Sequence, residues 1–175
     1  MNYFTSDWHL GHKVIVPKYR NFQSQEEHDN LLLDKMSKLK KRDVLFILGD
    51  FIFDSEKYDY YIEQISKMSC RIKLVMGNHD SMKLYKETRL PNLEIQLPLF
   101  TYKNKWISHC PIHPQEIRNR DGNIHGHLHN ATLTDFRYFE VGLDQNNFDF
   151  VSWEQIQDYF NAIKDKNDKN DKNDK

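Results

Sequence analysis

The sequence predicts a single α/β domain followed by a short polar tail. Strand and helix signals alternate along the chain, which is the pattern of helices packed on a mostly parallel sheet. Two apolar runs, Val44–Leu48 and Ile72–Met76, each stop at a glycine followed by a polar residue. The stretch from Lys164 to Lys175 contains only Lys, Asn and Asp.

Asn2–Thr5 is β-prone and runs straight into Ser6-Asp7-Trp8-His9. A loop holding Pro17 follows. Ser24 and Glu27 have capping-box spacing and open a helix to about Lys40, with Leu31, Leu32, Met36 and Leu39 at helical intervals. Asp43–Leu48 reads as a strand buried on both faces and ends at Gly49-Asp50. Ser55–Met68 is a second helix with Tyr58, Tyr61, Ile62 and Ile65 inward, and Arg71–Met76 a strand ending at Gly77-Asn78-His79-Asp80. Leu93–Leu97, Leu99–Tyr102 and Trp106–Ser108 read as consecutive antiparallel strands around a Lys103-Asn104-Lys105 turn. Short strands are expected at Asn123–His125 and Tyr138–Val141. Ser152 and Gln155 repeat the capping-box spacing and start a last helix to about Ile163. From Asn167 the triplet Asn-Asp-Lys recurs without an apolar residue, so the expected organisation is a domain over 1–163 and a disordered tail over 164–175.

Composition narrows the function. With 25 Lys+Arg against 26 Asp+Glu the net charge is -1, so nucleic-acid binding is not indicated by a basic excess. No apolar run approaches the roughly 18 residues of a membrane span, and no signal-peptide pattern opens the sequence. Cys70 and Cys110 form no CxxC, which points to a reducing cytoplasm. Nine histidines stand out, five of them between His109 and His129.

The chemistry lies in five short motifs: Asp7-x-His9, Gly49-Asp50, Gly77-Asn78-His79-Asp80, Ser108-His109 and Gly126-His127-Leu128-His129. Each falls where a predicted strand ends, which is where ligands of α/β sheets bind. Carboxylate, amide and imidazole together suit borderline divalent metals such as Mn, Fe, Zn, Ni or Co. Any one motif is weak, since Gly, Asn and Asp also favour plain turns. Their joint occurrence, each at a strand end, outweighs that bland reading.

On these motifs the sequence resembles the calcineurin-like metallophosphoesterases, from Asp7 to His129. The resemblance implies two packed mixed β-sheets flanked by helices, with a two-metal site between strand ends. It implies that Asp7, His9 and His129 hold one metal, that Asn78, His109 and His127 hold the other, and that Asp50 bridges them. His79 is then the non-ligand histidine over the substrate, oriented by Asp80. If extended, the His127–His129 stretch would present both imidazoles on one face, with Leu128 turned away. Gly49-Asp50-Phe51-Ile52-Phe53-Asp54 lacks the Arg-Gly that follows the bridging Asp in Ser/Thr protein phosphatases. The openings Ser6–His12 and Ser108–Ile112 resemble small bacterial or phage-type members.

Weaker candidates surround this set. His12, Lys13, Lys18, Arg20, Arg118 and Arg120 could grip a substrate phosphate or simply be loop surface. Trp8 and Phe51 are read as core in preference to base-stacking, Cys110 as buried and not nucleophilic, and His113 and His125 as structural. The expected function is a hydrolase of small phosphate esters using two divalent metals, Mn first, by direct attack of a metal-bridging water. Nucleotide-like phosphodiesters come ahead of phosphomonoesters. The rival from another class is a metal-binding interaction scaffold, which the intact ligand positions disfavour.

Overall fold

Every residue of Val44–Leu48 is buried, because this run lies inside a sheet covered on both faces. The computed structural model describes residues 1–53, 56–81 and 90–173. Its first half comprises β1 (Asn2–Thr5), α1 (Ile15–Tyr19), α2 (Gln25–Ser37), β2 (Val44–Leu48), α3 (Tyr58–Ser66) and β3 (Arg71–Val75). The second half comprises β4 (Leu93–Ile95), β5 (Leu99–Tyr102), β6 (Lys105–Ser108), α4 (Pro114–Ile117), β7 (Gly122–His125), β8 (Tyr138–Glu140), β9 (Val151–Ser152) and α5 (Trp153–Asn173). They form a five-stranded sheet in the order β4-β3-β2-β1-β9 and a four-stranded sheet in the order β5-β6-β7-β8. Both sheets are mixed: β9 is antiparallel to β1, and β5 to β6, while the other pairs are parallel.

Strand alternation divides the core into two layers. Phe4, Val44, Phe46, Leu48 and Val75 meet Ile107 and Ile124 of the second sheet and Trp153, Ile156 and Phe160 of α5. The Phe4 and Phe46 rings stack at 4.6 Å across β1 and β2. On the other face Leu45, Ile47, Ile72 and Leu74 pack under Leu32 and Met36 of α2 and Tyr61 and Ile65 of α3. The α/β domain of two packed mixed sheets flanked by helices is therefore as expected.

Several local expectations need correction. Leu93–Ile95 is parallel to β3 in the first sheet, so only β5 and β6 make an antiparallel hairpin. Its two-residue turn, Lys103 and Asn104, has φ of 44° and 66°, the primed geometry that matches strand twist. The loop around Pro17 contains helix α1, which tolerates a proline in its first turn, where an N–H has no intrahelical partner. The helix expected from Ser55 begins at Tyr58, and Asp54 and Ser55 lie outside the described residues. The last helix continues past Ile163 to Asn173, into the Asn-Asp-Lys repeat. Ser24 does cap α2, accepting a hydrogen bond from the Glu27 amide at 3.1 Å. Among the described residues no helix is long and apolar enough to cross a membrane.

Candidate metal centre

The loops that follow β1, β2, β3, β6 and β7 converge at one end of the two sheets and are tied to one another. Asp7 and His9 donate backbone N–H bonds to the Gly49 and Asp50 carbonyls at 3.0 and 2.9 Å. Asp7 Oδ2 accepts from the His127 amide at 2.8 Å, and Asp50 Oδ1 from the His79 amide at 2.9 Å. Gly49, with φ of 93°, passes so close to the His109 ring that a Cβ there would collide with it. Asp7, His9, Asp50, His127 and His129 all adopt positive φ, between 51° and 76°. Side-chain-bearing residues rarely do so, and such outliers gather at functional sites. His127 and His129 are thus not on the extended segment expected, although the His129 ring lies beside His9 and the His127 ring beside His109.

Two groups of donor atoms result. Asp7, His9 and His129 bring one ligand atom each within 4.8 Å of one another, and Asp7, Asp50 and His109 do the same. The His9 and His129 rings lie 5.1 Å apart, and those of His109 and His127 5.0 Å apart. Buried polar atoms normally have partners. Here Asp7 Oδ1 and both His9 ring nitrogens are buried without any. The Leu48 carbonyl can only accept, so in neutral His109 the hydrogen sits on Nδ1, 2.7 Å away. Nε2 then turns its lone pair on Asn78 Oδ1 at 2.9 Å, two acceptors face to face. A cation at the centre resolves each of these conflicts, so the residues fit divalent metal binding. Burial, helped by the Arg20 charge, pushes the His9 imidazole down to about 2, which keeps it a neutral ligand. Burial also raises the Asp7 carboxyl.

His129 is oriented by a residue the motifs do not contain. Its Nδ1 meets Asp144 Oδ2 at 2.8 Å, leaving Nε2 to face Asp7 Oδ1 at 4.0 Å. Carboxylate support of this kind fixes the ring and raises its basicity, and this hydrogen bond raises the His129 pKa. Asp144 is held in turn by a two-pronged bond from Arg20, at 2.8 and 2.7 Å. Burial works against the charged Asp144, but the bonds from His129 and Arg20 hold it below the usual carboxylate range. Arg20 also donates to the Asp7 carbonyl at 2.7 Å. The expected substrate grip is therefore corrected: Arg20 is a buried brace, with a guanidinium already committed to the protein.

The remaining candidates divide. His79 is exposed beside the centre, its ring 5.4 Å from that of His9. Asp80 does not orient that ring: its carboxylate accepts from the amides of Gly77, Asp50 and Phe51 at 2.8 to 2.9 Å, bolting the two loops together. His12 accepts the Val14 and Ile15 amides on Nδ1, and its ring lies 3.8 Å from that of Phe53, tilted by 31°. A cavity of about 330 Å³ opens here, walled by Val14, Ile15 and Tyr19 opposite His9, His79 and His129. Lys13 and Arg118 do not line it and pair at the surface with Glu56 and Glu116. Trp8 and Phe51 are fully buried, as expected of core residues. His113 caps α4, and His125 is buried 3.0 Å from Glu140, so both are structural. Cys110 is exposed, contrary to expectation, and its sulfur lies within 4.8 Å of a nitrogen of His109 and of His127. Burial, then the negative charge of Asp50 and Asp7, raises its thiol, which leaves it a poor nucleophile.

Comparison with known proteins places the fold among relatives. The chain is 29% identical to the Gene 66 protein of Mycobacterium phage L5, covering 94% of this chain and 96% of that one. It is also 29% identical to one component of the Escherichia coli nuclease SbcCD, over 67% of this chain but only 29% of that component. A solved structure of a protein of unknown function from Aquifex aeolicus superposes with a TM-score of 0.69 at 26% identity, covering 90% of this chain and 98% of that one. The family model for calcineurin-like phosphoesterases matches residues 3–174. With strand ends, donor groups and family model in agreement, the chain belongs to the calcineurin-like phosphoesterases and is a metal-dependent hydrolase of phosphate esters.

Proposed function

We propose that the chain cleaves small, nucleotide-like phosphodiesters with two divalent cations at this centre. One atom carries the two-cation reading. Asp50 Oδ2 lies 3.6 Å from His9 Nε2 and 3.5 Å from His109 Nε2, between the two donor groups. In this assignment Asp7, His9 and His129 hold one ion, Asn78, His109 and His127 hold the other, and Asp50 is shared. When bound, the ions polarise the phosphoryl group and supply a water acidic enough to attack it near neutral pH. Mn is the first choice among Mn, Fe, Ni, Zn and Co, all of which suit nitrogen and oxygen donors.

The protein's own groups do the rest. His79 stands at the mouth, where it protonates the departing oxygen. Asp80 acts at one remove by fixing the Asp50 and Gly77 loops. The diester preference rests on the walls: Val14, Ile15 and Tyr19 offer apolar surface to a flat leaving group. Among the described residues Arg20 is committed to Asp144, and neither Lys13 nor Arg118 lines the cavity, so its walls are largely apolar or imidazole. The description of the Escherichia coli relative as part of a nuclease agrees with diester cleavage. Two free thiols support a reducing cytoplasm as the compartment.

The test is a panel assay of chelator-stripped protein with Mn, Ni, Zn or Mg. Its substrates are bis-p-nitrophenyl phosphate, p-nitrophenyl phosphate and cyclic nucleotides. Chelation should abolish hydrolysis, Mn should restore it, and diesters should turn over faster than the monoester. Full activity at zero metal content sinks the proposal. Faster monoester turnover makes the chain a phosphomonoesterase, and silence with every metal favours the scaffold.

A further inference from the structure

A third donor group involves a residue outside the ligand set above. Cys110 Sγ joins one nitrogen each of His109 and His127 within 4.8 Å. The turn that presents it is braced from below by the fully buried Asn123. Asn123 Nδ2 donates to Ser108 Oγ at 3.0 Å, and its Oδ1 accepts from the Ile112 amide at 2.9 Å. Ser108 Oγ in turn donates to the Cys110 carbonyl at 2.6 Å. Pro111 follows, with φ fixed by its ring. The thiol is therefore held in place at the accessible side of the second donor group, while His109 is buried behind it.

We propose that Cys110 is a ligand of the second cation position, and that this position selects a thiophilic divalent ion such as zinc or cobalt. The inference rests on the two-cation reading above and adds an asymmetry to it. Asp7, His9 and His129 with the shared Asp50 offer carboxylates and imidazoles, a set that accepts Mn. Cys110 adds a thiol to His109, His127, Asn78 and the shared Asp50 at the other position, and a sulfur donor shifts preference toward zinc over harder ions. On binding, the Cys110 S–H bond breaks, its proton passes to solvent, and the sulfur pair forms the bond to the cation.

Spectroscopy of the full chain separates this from the parent reading. Chelator-stripped protein is titrated with Co(II), then with zinc, while absorbance and proton release are followed. Cobalt should give a near-ultraviolet thiolate-to-metal charge-transfer band. Cys110→Ser should lose that band, release less acid, and bind zinc more weakly by at least the roughly tenfold that loss of a supporting residue costs. Cys70→Ala should keep the band, because Cys70 lies in the core under α3. Cys110→Ala, checked for native circular dichroism, repeats the test should the serine variant misfold. Two cobalt ions bound without a charge-transfer band overturn the role of Cys110 and leave the two-cation reading standing. No cobalt bound at all overturns both.

Discussion

Asp50 and His79 lie one hydrogen bond apart, yet their side chains have different tasks. Asp50 presents Oδ2 to both donor groups, so Asp50→Asn should lose bound metal together with rate. His79 meets Asp50 through its backbone amide, and with its ring serving substrate as proposed, His79→Asn should keep two metals while kcat falls about 10²–10⁴-fold. That deficit should shrink for p-nitrophenolate leaving groups, which need no proton, and metal stoichiometry with rates on both ester types checks it. Asp144→Ala tests the brace. The Arg20 side chain is 1% exposed, and removing its partner leaves a buried charge, at a cost of about 3–5 kcal/mol. Thermal melting should show the loss, and metal affinity should fall about 10–100-fold as His129 loses its orientation. The seven candidate ligand positions are legible in the sequence because metal chemistry restricts which residues serve. Asp144 is not, since a lone Asp after Gly142-Leu143 resembles any turn and only folding brings it to His129. Asp80 belongs to a recognisable motif whose order suggests the wrong task, because sequence sets it beside His79 while the fold aims it at backbone amides.

At the scale of elements, caps and apolar runs are the readable signals, and partners are not. Ser24 and the fully buried β2 can be recognised locally. The pairing of β4 with β3 cannot, because a three-residue strand carries too little pattern to choose between neighbours in sequence and neighbours in space. α5 shows a related limit. Trp153, Ile156 and Phe160 bury its first turns against the sheets, whereas Lys164, Asp165 and Lys166 are exposed. A lack of apolar residues there suggests an end to the helix, although charged residues can continue a helix already nucleated by packing. We propose that the folding unit nonetheless ends near Ile163. A chain truncated after Ile163 should keep its melting temperature and turnover. A loss of more than a few degrees would show that the repeat docks on the domain.

For the molecule as a whole, alternation of strand and helix indicates the α/β class, while the two-sheet arrangement follows from the family resemblance and not from any pattern in the residues. The positive φ angles around the centre are equally hidden, since only Gly49 among these positions advertises such a conformation. The assembled centre also bears on how the chain is made. Asp7 and the His127 amide that meets it are 120 positions apart, and Arg20 and Asp144 are 124 apart. Contacts of such long sequence separation form slowly and late. During synthesis Asp7 and Arg20 emerge long before His127 and Asp144, so the loops that carry them wait for the partners that complete the centre. A metal that binds only the assembled centre would then favour finished molecules over unfinished ones.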